Sequence, residues 1–386
     1  MTAQIDYLIV GAGIIGMTIA HDLINRNKQL TIVIIEKESQ VAVHASGRNS
    51  GVLHAGFYYT ADSLKAKLTA EGNKKMKAFC HDNAIFVNET QKYVVANNQQ
   101  ELDWLYELDK RAKVNGVITK LVNADEIDPN IKTYQKALYS PSTASVNPKE
   151  VCYALRDKLI ASGVRFIFNQ PFETVNFDYH YLINCAGSYA DKIAKAHGVG
   201  QHYTMLPFKG LYLKYFGDDK PISTNVYPVP NMKNPFLGVH YTMTANNEIK
   251  IGPTAIPVFW RENYQGLEGF KLTEFLEIFY YSTKLFILNK FNFRELAINE
   301  IKNYRKKNLI EKAQQMLHHI GDDFRPLPAG IRAQLLDTQQ NELVMDFIVE
   351  HTDHSTHILN AVSPAFTCSF AFAEHVVDQL LNNESP

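Results

Sequence analysis

The chain has 386 residues, 46% of them hydrophobic, which is enough for two or three domains with sizeable cores. Its 39 Lys and Arg nearly balance 40 Asp and Glu, so no overall field draws it to nucleic acid. Four widely spaced cysteines, Cys80, Cys152, Cys185 and Cys368, form no CxxC pair; this argues against a disulfide framework or structural zinc and for a reducing, cytoplasmic setting.

The uncharged run from Tyr7 to Ala20 is too short to span a bilayer and follows Asp6 rather than basic residues, so it is read as neither membrane helix nor export signal. Instead, Asp6 to Val10 reads as a strand, Gly11-Ala-Gly13-Ile-Ile-Gly16 as a turn opening a helix, and Leu30 to Glu36 as a second strand ending in an acid. This arrangement grips the ADP half of a dinucleotide. Gly11 allows the tight turn, Gly13 admits the pyrophosphate to the backbone, Gly16 lets helix and strand pack closely, and Glu36 holds ribose hydroxyls.

Ser63 to Asn83 has helical spacing of apolar residues. A different texture, with a short strand from Lys92 to Ala96 and a helix near Glu101 to Asn115, suits an inserted lobe. Asn147-Pro148 then opens a helix to Ser162, Val164 to Phe168 forms a strand, and the strand Tyr181 to Cys185 runs into a second close turn, Ala186-Gly187. Residues 206–326 are strand-rich, then aromatic and helical, and the stretch ends on a strand, His357 to Ala361, and a long helix, Pro364 to Leu381. Nucleotide-type segments at the start, middle and end predict an α/β, Rossmann-like domain that is discontinuous (1–84, 143–205 and 327–386), with a substrate domain from 85–142 and 206–326.

Directly after the βαβ unit come Ser46-Gly-Arg-Asn-Ser-Gly, His54-Ala-Gly and Tyr58-Tyr59; later come Leu182-Ile-Asn-Cys-Ala-Gly187, Pro235-Phe-Leu-Gly-Val-His240, Pro328-Ala-Gly-Ile-Arg-Ala-Gln334 and Ser363-Pro-Ala365. In these ordered pieces the sequence resembles the D-amino-acid-oxidase-like flavoenzymes, and among them the L-2-hydroxyglutarate dehydrogenase group. Leu211 stands where that group usually has an acid and Phe366 where it usually has a small residue, which leaves the substrate open.

The resemblance implies a β-rich α+β substrate domain and non-covalent FAD rather than NAD. It implies a small-molecule 2-hydroxy acid substrate, and a quinone, another carrier or oxygen as electron acceptor. Ser46, Asn49 and Ser50 can donate hydrogen bonds to phosphates and flavin edge atoms, and the helix opened by Ser363, Pro364 and Ala365 can steady charge on the reduced ring. The resemblance extends the cofactor contacts to Ile14, Ile15, Lys37, Arg48, Leu53, Val175, Ala186 and Gly187.

For catalysis, an imidazole suits a base that must take a hydroxyl proton near neutrality, which singles out His54 and, on an apolar run, His240. Arg332, a charge in what reads as an apolar turn, is matched to a carboxylate. Lys209, Tyr58 and Tyr59 are secondary candidates for the substrate pocket. No histidine grouping has the spacing of a metal site. The aromatic stretch from Glu274 to Arg294, followed by Lys302, Arg305, Lys306 and Lys307, fits either a helical cover over the substrate lobe or a peripheral contact on the inner face of an anionic membrane. Amine oxidation on the same fold and flavin binding without turnover are the rival functions.

Overall fold

The computed structural model describes residues 4–230 and 236–384; Pro235, part of a motif quoted above, lies outside them. At the centre of a six-stranded sheet is the strand Ile5–Val10, paired in parallel with Ile32–Ile35 and with Tyr179–Asn184. Arg165–Ile167 completes one edge, and Ser355–Ile358 followed by Val349–Thr352 completes the other. Ile32–Ile35 is buried at every position, because helices and loops cover both faces of a parallel sheet and leave no polar side.

The helix Ile14–Arg26 packs against the last helix, Ala365–Glu384, which in turn packs on Leu64–Asp82. Local chemistry sets the helix starts. The Ser63 hydroxyl accepts from the amide of Ala66, and the Asn147 side chain accepts from that of Lys149 with Pro148 in the first turn. The helix expected near Glu101 runs Gln99–Val114, begun by an Asn98 cap.

The second half is antiparallel and mixed. An eight-stranded sheet holds, in neighbouring order, His240–Met243, Asn225–Pro228, Lys92–Val95 and Lys136–Ser140. A four-stranded sheet pairs Tyr203–Gly210 with Gly330–Asp337. Here the structure departs from the sequence reading: Arg332 lies on a strand rather than in a turn. Its neighbours pair along the full length of Tyr203–Gly210, with Phe208 opposite Arg332 and Lys209 opposite Ile331. Successive side chains on a strand face opposite ways, so Phe208 and Arg332 share one face and Lys209 takes the other.

The aromatic helix, Leu272–Leu288, is two-sided. Ile278 and Leu285 enter a core with Phe208 and Phe236, while Leu276, Phe279, Tyr280 and Ile287 are exposed. Among the described residues, no helix is long and apolar enough to cross a membrane.

Candidate active site

One large cavity, about 510 Å³, runs from the Ile14–Arg26 helix to the face of the four-stranded sheet. That volume is in the range of sites for drug-sized ligands. Gly11, Gly13, Ile14, Ile15, Glu36 and Lys37 line its first end. Gly11 has φ 104°, and a Cβ there would lie 2.5 Å from the Cys185 carbonyl oxygen; on Gly16, a Cβ would lie 2.2 Å from the oxygen of Gly11. Glycine is therefore required at both positions, which brings turn, helix and the second close turn together. Glu36 is aimed by two backbone amides, with Ala12 donating to Oε2 at 2.9 Å and Glu38 to Oε1 at 3.0 Å.

The loop after the second strand closes over this end. The Ser46 hydroxyl accepts from the amide of Ile14 at 2.9 Å, so it sits at the positive end of the helix. Asn49 accepts from Gly51 at 2.8 Å and donates to the carbonyls of Ala45 and Ser46, and Arg48 donates from Nε to the Val43 carbonyl at 2.8 Å. Ser46, Arg48, Asn49 and Ser50 all line the cavity, as do Ala186 and Gly187 from the middle of the chain and Ser363, Pro364 and Ala365 from its last segment. Lys37 bridges Glu38 and Glu262, its Nζ 2.6 Å from the latter. Glu38, His44 and Glu262 also cluster closely enough to hold a cation, but the Lys37 ammonium already supplies the positive charge there.

At the other end stand His54, His240 and Arg332. The backbone of His54 is tied to the last helix: its amide donates to Thr367 Oγ1 at 3.1 Å, and that hydroxyl donates to the Val52 carbonyl at 3.2 Å. His54 Nδ1 is buried without a partner among the described residues. Burial holds this imidazole well below the ordinary histidine value, with Lys92, His240 and Arg332 lowering it further. His240 Nδ1 lies 2.9 Å from the Gly238 carbonyl, a contact that requires the proton on Nδ1 and leaves Nε2 as an acceptor. Burial pushes its pKa down to about 3. Both rings are thus neutral at physiological pH.

Arg332 lies deep in the molecule with part of its surface open to the cavity, and desolvation lowers its pKa. It has no hydrogen-bond or ion-pair partner among the described residues; its guanidinium carbon lies 5.0 Å from the centre of the Phe236 ring. Glu300 in the same wall acts on it through space but is bonded to the Ala255 amide and forms no ion pair with it, so this desolvated cation is a site for an incoming carboxylate.

Six expected residues do not line the cavity: Gly16, Leu53, Tyr58, Tyr59, Val175 and Lys209. Gly16 stands instead at the close contact with the Gly11 oxygen. Lys209 faces away from Arg332 because of strand alternation, and its ammonium donates to Asn263 Oδ1 at 2.7 Å. Of the two departures, Phe366 reaches the cavity and Leu211 does not. Tyr212, Tyr227 and Glu300 line it without having been anticipated. Tyr227 lies on a four-residue strand, and Glu300 on the helix Phe293–Lys302 accepts from the Ala255 amide at 2.6 Å; only the tertiary fold brings either to the site.

These features suit a flavin dinucleotide: exposed glycine backbone and a helix N-terminus for the pyrophosphate, a fixed carboxylate for the ribose, and an orphaned polar atom where the reacting end would lie. Comparison with known proteins agrees. Residues 6–379 match the family model described as FAD dependent oxidoreductase. An L-2-hydroxyglutarate dehydrogenase of Escherichia coli (strain K12) is 33% identical, with 97% of this chain and 93% of that protein covered. A mitochondrial L-2-hydroxyglutarate dehydrogenase of Dictyostelium discoideum is 32% identical over 98% of this chain and 93% of its own. Among solved structures, an L-alpha-glycerophosphate oxidase from Mycoplasma pneumoniae with FAD bound superposes with a TM-score of 0.76, at 19% identity, over 98% of this chain and 94% of that one. The chain belongs to the FAD-dependent oxidoreductase family, in its D-amino-acid-oxidase-like form, and FAD is its cofactor.

Proposed function

We propose that this protein oxidises L-2-hydroxyglutarate to 2-oxoglutarate. The observation that carries the reading is Arg332, an unpartnered cation beside two neutral imidazoles in one cavity. Relatives covering nearly the whole chain are named for that substrate.

In this reading the segments 1–84, 143–205 and 327–386 form the unit that holds FAD, and 85–142 and 206–326 form the substrate lobe. Glu36 would take the adenosine ribose, and Gly11, Gly13 and the start of the first helix the pyrophosphate. Ser46, Asn49, Ser50 and the start of the last helix would surround the remainder without a covalent bond. When bound, FAD supplies the two-electron sink for the hydride that leaves C2 of the substrate. Arg332 grips the C1 carboxylate and sets the orientation of C2. His54, with its free ring nitrogen, takes the hydroxyl proton, and His240 accepts a hydrogen bond through Nε2 to hold the hydroxyl. Phe366 and Phe236 exclude water from this end. Electrons then pass to an outside acceptor, a quinone, another carrier or oxygen.

A peripheral membrane contact through the exposed face of Leu272–Leu288 is part of the proposal. Support comes from the apolar surface of Leu276, Phe279, Tyr280 and Ile287 and from the nearby exposed Lys302, Arg305, Lys306 and Lys307.

The test is anaerobic bleaching of the bound flavin by a substrate panel. Bleaching by L-2-hydroxyglutarate is expected. Bleaching by an amino acid instead would move the reading to amine oxidation, and a flavin that no member of the panel reduces would leave a binding protein without turnover.

A further inference from the structure

Lys92 opens the strand Lys92–Val95 in the middle of the eight-stranded sheet. Its side chain is fully buried, and its ammonium has no hydrogen-bond or ion-pair partner among the described residues. An ammonium that loses water and gains no anion is costly to keep. Around Nζ the surroundings are aromatic: the ring centres of Tyr227, Tyr58 and Phe57 lie at 4.4, 5.0 and 5.3 Å. Ring faces return part of the lost hydration, yet burial still brings the group down to about 7. Near neutrality Lys92 therefore stands between its charged and neutral forms.

Strand order explains how close this group comes to the site. Asn225–Pro228 lies between Lys92–Val95 on one side and His240–Met243 on the other. Tyr227 pairs with Val94, two residues from Lys92 and hence on the same face, and its ring stacks on His240 with centroids 3.7 Å apart. Lys92 thus stands one aromatic ring behind the cavity wall. Among the described residues, the titratable groups facing this box are His54 and Tyr58 from the loop, Tyr227 and His240; Arg332 and Lys250 act on the histidines from beyond it. None is a carboxylate, and its register partners Asn225 and Ser140 carry no charge.

The charge count at the substrate end is short. A 2-hydroxy dicarboxylate brings two negative charges, Arg332 supplies one positive, Lys209 faces away, the buried Lys65 and Lys250 are opposed by Asp346 and Glu248, and Glu300 adds a negative charge to the wall. We propose that Lys92 is the second counter-charge, a positioning residue that takes up a proton from solvent when a dicarboxylate enters and acts on it through the ring of Tyr227. This rests on the dicarboxylate reading of the cavity.

Calorimetry on the FAD-loaded protein, with glutarate as a ligand that cannot be oxidised at C2 and butyrate as its single-carboxylate counterpart, tests the idea. Titrations in buffers of different ionisation heat give the protons taken up per ligand. At about pH 8, where most of the free Lys92 is neutral, the parent protein is expected to take up a large fraction of a proton with glutarate and little with butyrate. Lys92→Met keeps the box filled and apolar, so it is expected to fold. It should lose the glutarate-linked uptake and roughly tenfold in glutarate affinity while butyrate binding is unchanged. Unchanged uptake and affinity in Lys92→Met overturn the inference alone, as does an equal loss for both acids, which would mark a structural role. Failure of the parent protein to bind glutarate overturns the dicarboxylate reading and the inference with it.

Discussion

The ring of His240 lies against that of Tyr227, with centroids 3.7 Å apart and planes 19° from parallel. With Nδ1 held by the Gly238 carbonyl, the imidazole is fixed both in plane and in tautomer. Tyr227→Phe keeps the ring and should leave flavin reduction within about twofold of the parent. Tyr227→Ala frees the imidazole and should slow reduction about tenfold, through poorer alignment. Rapid-mixing measurements of flavin bleaching decide between these outcomes.

His54→Ala should slow flavin reduction roughly a hundredfold, the usual scale for loss of a general base, with FAD retained and substrate binding little changed. His240→Ala should cost less, since His240 holds the hydroxyl without taking its proton. An order of effects reversed between the two variants would transfer the base to His240.

The pH dependence follows from the same rings. A base with a lowered pKa stays unprotonated as the medium is acidified, so at saturating substrate the rate of reduction should hold through the ordinary histidine range, down to about pH 5. Stability moves differently. His240 at about 3, and His21 and His357 each at about 4, bind protons less readily folded than unfolded, so stability present above about pH 6.5 should be lost as pH falls toward those values. Thermal melts of the holoenzyme between neutrality and pH ~4 would record the loss, at up to roughly 1.4 kcal/mol per histidine per pH unit.

Arg332 meets a carboxylate whose charge is constant during the reaction. Arg332→Ala should raise the substrate concentration for half-maximal reduction by about a hundredfold, with a smaller fall in the limiting rate. Arg332→Lys should recover part of the binding but not the bidentate alignment. A variant that binds normally and reduces slowly would contradict this division.

Gly11→Val forces a side chain into the Cys185 carbonyl at a backbone angle of φ 104°, and should yield protein without bound FAD. Absorbance of the purified protein and release of flavin on denaturation check it directly.

If the exposed face of Leu272–Leu288 meets a membrane, the protein should co-sediment with anionic vesicles and detach as salt screens its lysines and arginines. Equal partition onto neutral vesicles would remove the electrostatic part of that contact.

Much of the nucleotide end was legible because its signals are local. Gly11, Gly13, Gly16 and Glu36 carry their meaning within one βαβ unit, and Ser63, Asn147 and Pro148 announce helix starts within a turn. The substrate end depends on register between distant strands, which no local pattern records. Lys209 and Arg332 are both candidates for the substrate pocket by sequence, yet the pairing of Tyr203–Gly210 with Gly330–Asp337 sends them to opposite faces. Lys92 reads as an ordinary strand residue until Tyr227, Tyr58 and Phe57, from two other segments, enclose it.

The hydroxyl of Thr367, bonded to the amide of His54 and the carbonyl of Val52, joins points more than 310 residues apart. Together with Ser355–Ile358 beside Tyr179–Asn184 in the central sheet, and the last helix on Ile14–Arg26, it means that the sheet and its helical cover remain unfinished until about 370 residues have been synthesised. Such distant closure is slow compared with the folding of local helices. During translation the strand Tyr179–Asn184 waits with an open edge, and the helix Ile14–Arg26 waits without the last helix that covers it. That makes this interval, rather than any step in the turnover of the finished enzyme, the stage at which the chain is most exposed to chaperones and to aggregation.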